Sequence, residues 1–338
     1  MPDRPSLAAR PRRAALLRWL VSDAVVAPDG RVWSWHNPAH PGYAYPEAGG
    51  LWLALLAREP SGGDAPLERV AAWLRGCETP HEIGRDGRGY LFDLAMVVAG
   101  RLSWADRCGH QWTDEGPAIA AMLAALRAGR ATSGPTHGER WSERFGPHLL
   151  KLALPLARWV ERTQDPEATA ALTELLATLR PHTLEGRVPS EPNDGPGDGP
   201  TYLHAHCYAA EGLWRLSEAP VPTPVRMQAR ELADQAVAWL ARVQRADGGL
   251  PPWHDGTRGW GPAPADVAAQ AVRLWSGLDP ARYRGAIDRA LAFLGRLGDP
   301  SGGLRYHETS DDLNTWATVF TVQALDFAEG RADVRRLV

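Results

Sequence analysis

Acidic and imidazole side chains recur in this chain where apolar helical segments begin. Glu47 follows Tyr45-Pro46, Asp93 follows Phe92, His204 and His206 open a stretch that continues with Cys207-Tyr208, Asp266 follows Ala265, and Asp312 precedes Asn314-Thr315. A carboxylate at a helix start can act simply as a cap, accepting from a free backbone N–H and adding about 1 kcal/mol; that alternative applies to Asp266 and Asp311 taken singly. Capping does not account for Glu47, Asp93, Asp266 and Asp312 as a set, because they come from four different segments. A helix N-terminus favours an anion by only about 0.3–1 kcal/mol, whereas carboxylates crowded together can split their pKa values widely. In one pocket, one carboxyl would hold a proton near neutral pH and act as general acid, with an ionised partner or neutral His206 as base. The candidate catalytic residues are therefore Glu47, Asp93, His206 and Asp312. Glu47 stands first, because Gly49-Gly50 leaves space beside it.

Binding groups are drawn from the same places. Trp is unusually frequent, 15 against 7 Tyr and 5 Phe, and Trp33, Trp35, Trp141, Trp253 and Trp260 all fall between helical segments. Their flat rings suit stacking on a ligand face; the alternative is that they brace the loops against one another. Tyr45, His204, Tyr208, His254, Asp266, Tyr306, His307 and Asn314 complete the candidate binding set. Lys151, the one lysine of the chain, sits among Leu and Pro, which points either to an ion pair with a neighbouring carboxylate or to an anionic group on a ligand. His204, His206 and Cys207 carry the right atoms for zinc, but on a helix His206 points away from the other two. No cofactor is expected, zinc remaining as the one alternative. The chain has no phosphate-binding glycine loop, dinucleotide fingerprint or Gly-x-Ser-x-Gly elbow.

Two sets of helices must position these groups. Apolar residues at helical spacing mark one set: Leu7 to Ser22, Pro66 to Arg75, Pro117 to Ala128, Glu167 to Leu179, Arg230 to Gln244 and Tyr283 to Leu297. These are polar on one side. Between them lie Tyr45 to Ala57, Phe92 to Leu102, Phe145 to Val160, His204 to Leu216, Ala265 to Leu278 and Asp312 to Phe327, apolar nearly all round, as helices enclosed by neighbours are. The loops entering the second set are long and share tight-turn chemistry: Asp29-Gly30, Asp86-Gly87, Glu185-Gly186, Asp247-Gly248 and Ser301-Gly302, each followed by an apolar or aromatic residue that suits a small hairpin. Six helical hairpins whose inner helices are buried on both sides predict closure into a ring. The expected fold is all-α, an (α/α)6 toroid in a single domain over 1–338, with the long loops at one end and a mobile flap over Pro189 to Pro200.

With 338 residues, 44% hydrophobic and 23% charged, the chain is ample for a large core. A formal charge of −3 with interspersed basic residues argues against nucleic acid as a partner. Ala14 to Ala27 is interrupted by Arg18 and Asp23, which excludes that stretch as a membrane span, and three cysteines imply no disulfide framework; a cytoplasmic protein is expected. Oligomeric state is left open.

The repeated pattern resembles the α/α-toroid superfamilies: terpene cyclases and prenyltransferase β subunits on one side, N-acylglucosamine 2-epimerases and six-hairpin glycosidases on the other. Gln244-Arg-Ala-Asp-Gly-Gly-Leu-Pro-Pro-Trp253 is similar to the glutamine-to-tryptophan repeat of terpene cyclases, and His206 to Leu213 to the zinc-histidine helix of prenyltransferases. The Asp-x-Asp-Asp acid and the paired zinc ligands of those families are not matched, so neither activity is carried over. Tyr45-Pro-Glu-Ala-Gly-Gly50, Phe92-Asp93, His204 to Leu213, Ala269-Gln270 and Asn314-Thr-Trp-Ala317 resemble toroid proteins associated with saccharide biosynthesis. That resemblance implies a carbohydrate-active enzyme binding a sugar or glycan end, with isomerisation, hydrolysis and elimination all compatible. A tailoring cyclase or transferase acting on an apolar or peptide substrate is the alternative, and a non-catalytic scaffold a third.

Overall fold

The computed structural model describes residues 10–60, 63–77, 84–85, 87–133, 140–179, 186–190 and 199–338. Twelve α-helices lie among them: α1 (Arg13–Leu20), α2 (Pro46–Leu56), α3 (Asp64–Gly76), α4 (Leu91–Cys108), α5 (Gly116–Arg127), α6 (Ala153–Thr163), α7 (Pro166–Leu179), α8 (Leu203–Ser217), α9 (Thr223–Val243), α10 (Ala265–Leu278), α11 (Arg284–Arg296) and α12 (Thr315–Ala328). Seven two-residue strands sit in the connections: β1 (Trp35–His36), β2 (Gly84–Arg85), β3 (Arg88–Gly89), β4 (Thr201–Tyr202), β5 (Trp253–His254), β6 (Gly259–Trp260) and β7 (Leu313–Asn314). Most of the expected flap, residues 191–198, lies outside the described residues, as do Asp86 and Glu185 of two predicted turns.

Odd-numbered helices form the outer layer and even-numbered helices the inner one. In α3 the buried residues are Leu67, Val70, Ala71 and Leu74, the one-sided stripe of a helix with a wet back. Every residue of α2 is buried, as expected of a helix with neighbours all round. Inner helices touch at backbone level where glycine allows it: a Cβ at Gly50 would lie 2.3 Å from the Met96 carbonyl oxygen of α4. Gly49 is likewise filled, by Trp73 at 2.6 Å from its hypothetical Cβ. The expectation that these two glycines open space beside Glu47 is therefore corrected; they serve helix contact.

The third inner helix departs from regular α geometry. Its first part, Pro147–Leu152, is a 3-10 turn, and the α ladder begins only at Ala153. Pro155 has no N–H to give the Lys151 carbonyl, which removes the α bond that would have started the helix earlier.

Closure of the ring is visible at two levels. α12 packs against α2 and α1 as well as α10, and β1 pairs with β7 through Trp35↔Asn314 and His36↔Leu313, so the first long loop is stitched to the last. The turn glycines seal the same joint. Gly302, at φ +100°, lies against α1 so closely that a Cβ would fall 2.6 Å from the Ala15 carbonyl oxygen, and Gly30, Gly186 and Gly248 make the equivalent contact with α3, α9 and α11. Each of these four turns thus locks onto the outer helix of the next hairpin, whereas Gly87, at φ +71°, has open space where a Cβ would stand. Among the described residues no helix is long and apolar enough to cross a membrane.

Candidate active site

The inner helices run parallel, so their first turns gather around the ring axis at one end. Glu47 of α2, Asp93 of α4, His204 of α8, Asp266 of α10 and Trp316 of α12 all occupy first-turn positions and line one cavity of about 160 Å³. Tyr43 and Tyr45, Tyr90 and Phe92, Trp141 and Ser142, Tyr202 and Tyr208, and Tyr306 complete the wall. Free N–H groups and the positive ends of the helix dipoles face the same space, a setting that suits carboxylates.

Glu47 receives two phenols. Tyr45 donates to Oε2 and Tyr208 donates to Oε1 at 3.3 Å. Tyr45 Oη also stands 3.4 Å from Asp93 Oδ1, so one phenol bridges two carboxyl groups while carrying only one proton. Burial and the nearby Glu47 charge hold the Tyr208 phenol well above its ordinary pKa, keeping it a neutral donor.

On the opposite side of Tyr208, His204 Nδ1 lies 3.2 Å from Asp266 Oδ2, and its ring meets Tyr208 edge-on at 4.2 Å between centroids. Asp266 is itself fixed, accepting from the Trp316 indole at 3.1 Å and from its neighbour Val267 N–H at 2.7 Å. It sits inside the first turn after the N-cap Pro264, so capping is not its place in the helix. Burial lowers the His204 pKa against the opposing pull of Asp266, which favours neutral imidazole, with the Asp266 carboxylate standing close to Nδ1. The cavity thus sets an imidazole beside one carboxylate, facing two carboxyl groups joined through Tyr45.

Several predicted residues lie elsewhere. His206 is fully buried on the outer side of α8, where Nδ1 accepts from Val188 N–H at 3.2 Å and Nε2 donates to Ala236 O at 3.1 Å. Both nitrogens are committed and burial holds its pKa down to about 4, so the expectation of a base in the pocket is corrected. Nor do His204, His206 and Cys207 converge: His204 faces Asp266 while His206 faces α9. Among the described residues no three His, Cys, Asp or Glu side chains group as a metal site requires.

Asp312 is also outside. The β1–β7 pairing makes 313–314 a strand, α12 starts only at Thr315, and Asp312 accepts from Asn37 Nδ2 at 2.7 Å near His40. Asn314 is the N-cap of α12, accepting from Ala317 N–H at 2.8 Å. Lys151 lies beneath the cavity floor, fully buried and ion-paired with Glu211 at 3.0 Å, with its ammonium 4.1 Å from the Tyr208 ring centroid. Trp33 is held under Arg31 and gives its carbonyl to Thr315, while Trp35 meets Tyr43 edge-on at 5.3 Å. His254 is buried against Trp239, and His307 contacts Thr309. Trp253 lies beyond the cavity wall next to Tyr202, and Trp260 beyond it next to Trp253.

Tyr90 and Tyr202 were missed, yet the sequence carries a signal for them. Tyr45, Tyr90 and Tyr202 are the N-cap residues of α2, α4 and α8, so superimposing the repeats at Tyr45-Pro-Glu would have placed all three on the wall. Trp316 is the first-turn equivalent of Glu47 on α12.

Structural comparison supplies the fold in other proteins. A sugar epimerase from a ruminal bacterium superposes with a TM-score of 0.71 at 11% identity, over 93% of this chain and 96% of that one. An unsaturated glucuronyl hydrolase specific for heparin gives 0.68 at 15% identity, over 94% and 95%. The chain shares their (α/α)6 toroid fold. An α-1,6-mannanase of Salegentibacter sp. HEL1_6, captured with mannotriose, matches at 0.62 and 12% identity, over 95% and 98%. No protein-family model matches the sequence, and no curated protein does.

Proposed function

We propose that the protein is a carbohydrate-active enzyme that takes one sugar residue into the cavity and works by acid–base chemistry at its anomeric end. The observation that carries this reading is the composition of the wall: three carboxylates, Glu47, Asp93 and Asp266, set among aromatic rings, with no lysine or arginine among the described lining residues. Glycoside cleavage passes through a transition state with positive charge on the ring, and carboxylates with aromatic faces stabilise that charge. The same wall gives no counter-charge to an acidic sugar, so the substrate is a neutral residue rather than a uronate. At about 160 Å³ the space falls well below the roughly 300–1,000 Å³ of pockets for larger ligands, which suits one ring. The activities named for the three structural neighbours, on sugars and glycans, support the substrate class.

In this mechanism Glu47 and Asp93 share the work of acid and base, and Tyr45 passes a proton between them. Tyr208 orients Glu47. His204, neutral and beside Asp266, favours a second reading, proton abstraction and return at a sugar carbon, as in epimerisation. A panel of neutral aryl glycosides and free aldoses, followed by release of the aryl group and by NMR at the anomeric and neighbouring carbons, separates the two. Hydrolysis lost in Glu47→Gln supports the first; deuterium incorporation lost in His204→Gln supports the second. A chain that turns over and binds no saccharide in either format overturns both.

A further inference from the structure

One wall of the cavity continues outward as a sheet. β4, β5 and β6 pair antiparallel, and the register places Tyr202 opposite Trp253 and Trp253 opposite Trp260. Directly paired residues share a face, so three aromatic rings stand in a row. Tyr202 lines the cavity; Trp253 follows at 4.9 Å between centroids, and Trp260 at 6.5 Å with the two indoles only 10° from parallel. The other face of the sheet is buried, with Thr201 fully enclosed and His254 against Trp239. Trp260, at the far end, is 41% exposed, one of few large apolar side chains so placed.

The row is firmly built. Gly259 lies so close to Pro251 that a Cβ would come within 2.3 Å of the proline ring, and Gly261, at φ +86°, presses on Pro252 in the same way. Asp255 ties the turn by accepting from the Thr257 and Arg258 N–H groups at 2.8 and 2.9 Å. A second aromatic run, Trp35–Tyr43–Tyr45, also reaches the cavity, but its rings meet at 87° and 53° and so present edges to one another, the geometry of bracing.

We infer that Tyr202, Trp253 and Trp260 form an outer binding surface on which successive residues of a neutral oligosaccharide stack while its terminal residue occupies the cavity. The inference rests on the saccharide reading above and extends it from one sugar to a chain. The apolar faces of pyranose rings and the near-parallel indoles are both flat, and the row starts at the cavity wall itself, so a chain leaving the cavity meets Trp253 and then Trp260.

The test is isothermal titration of the wild-type chain, Trp260→Ala, Trp260→Phe and Trp253→Phe with neutral gluco-, manno- and N-acetylglucosamine saccharides of one to four residues. Wild-type affinity should rise with length by about tenfold, equivalent to ~1.4 kcal/mol. Trp260→Ala should abolish most of that rise, and Trp260→Phe should restore part of it. Trp253→Phe, which keeps a flat ring in the row, guards against a folding defect and should reduce the rise less. Equal affinity at all lengths, or a rise that survives Trp260→Ala, overturns the outer surface and leaves the cavity reading standing. Absence of binding at every length overturns both.

Discussion

Two clusters of ionisable groups lie on the axis of the ring, separated by the thickness of Tyr208. Above it, Glu47 takes the phenol's hydrogen bond and shares an open cavity with Asp93, Asp266 and His204. Below it, Lys151 faces the underside of the same ring, paired with Glu211, which also binds Arg273. The lower cluster is dry: Lys151, Glu211 and Arg273 are fully buried, and the Val338 carbonyl accepts from both cations. Burial brings the Lys151 pKa down to about 8 even beside Glu211. The upper cluster holds more acid than base and is met by space; the lower one holds two cations paired to one carboxylate and is met by none. On the proposed function the same residue types serve chemistry in one place and assembly of the inner ring in the other, and the deciding variable is access.

Exchanging function for stability would break that contrast. Glu47→Gln is expected to lower turnover of the accepted glycoside by about 10²–10⁴, with the urea midpoint little changed; unfolding with no separate catalytic loss would place Glu47 with the lower cluster. Glu211→Ala leaves two buried cations without their partner and should cost about 3–5 kcal/mol of stability, read from equilibrium denaturation. If that variant keeps wild-type stability but loses ligand affinity, the lower cluster belongs to the site.

A smaller effect comes from pH and sharpens the distinction between His204 and His206. His206 is buried neutral with its pKa lowered to about 4 from 6.5. Above pH 6.5 neither state of the chain protonates it and its contribution to stability is whole. As the pH falls below 6.5 the unfolded chain takes up the proton first, so stability drains away down to about pH 4, at up to ~1.4 kcal/mol per pH unit. His206→Gln should flatten part of this slope in denaturation midpoints compared at pH 7 and pH 5. A slope unaltered by the substitution would show that other groups carry it. The smallest expected effect is at the rim: Asn314→Ala removes the α12 cap and should cost about 1 kcal/mol, with saccharide affinity kept. A large affinity loss at unchanged stability would return Asn314 to the binding set.

Much of the ring was legible in the chain. The stripe Leu67, Val70, Ala71, Leu74 declares an outer helix, the nearly all-apolar run of α2 an inner one, and the turns at Gly30, Gly186, Gly248 and Gly302 the joints that lock one hairpin to the next. These signals are local, because hydrophobic period and backbone sterics act within a few residues. The ends of the helices that carry the site were legible too, since Glu47, Asp93, His204 and Asp266 stand in first turns.

What only the tertiary structure decided is which first-turn side chain faces the axis. His204 and His206 are two positions apart on α8, about 200° around the helix, and one meets Asp266 across the cavity while the other is enclosed by Val188 and Ala236. Asp312 lost its expected place for a related reason, because pairing of β7 with β1 delays the start of α12 by three residues. Composition and spacing determined that six hairpins close into a ring and bring acidic residues to one end; rotation about each helix axis and pairing between the first long loop and the last, Trp35 with Asn314, set by contacts between hairpins, determined which of those residues share a cavity.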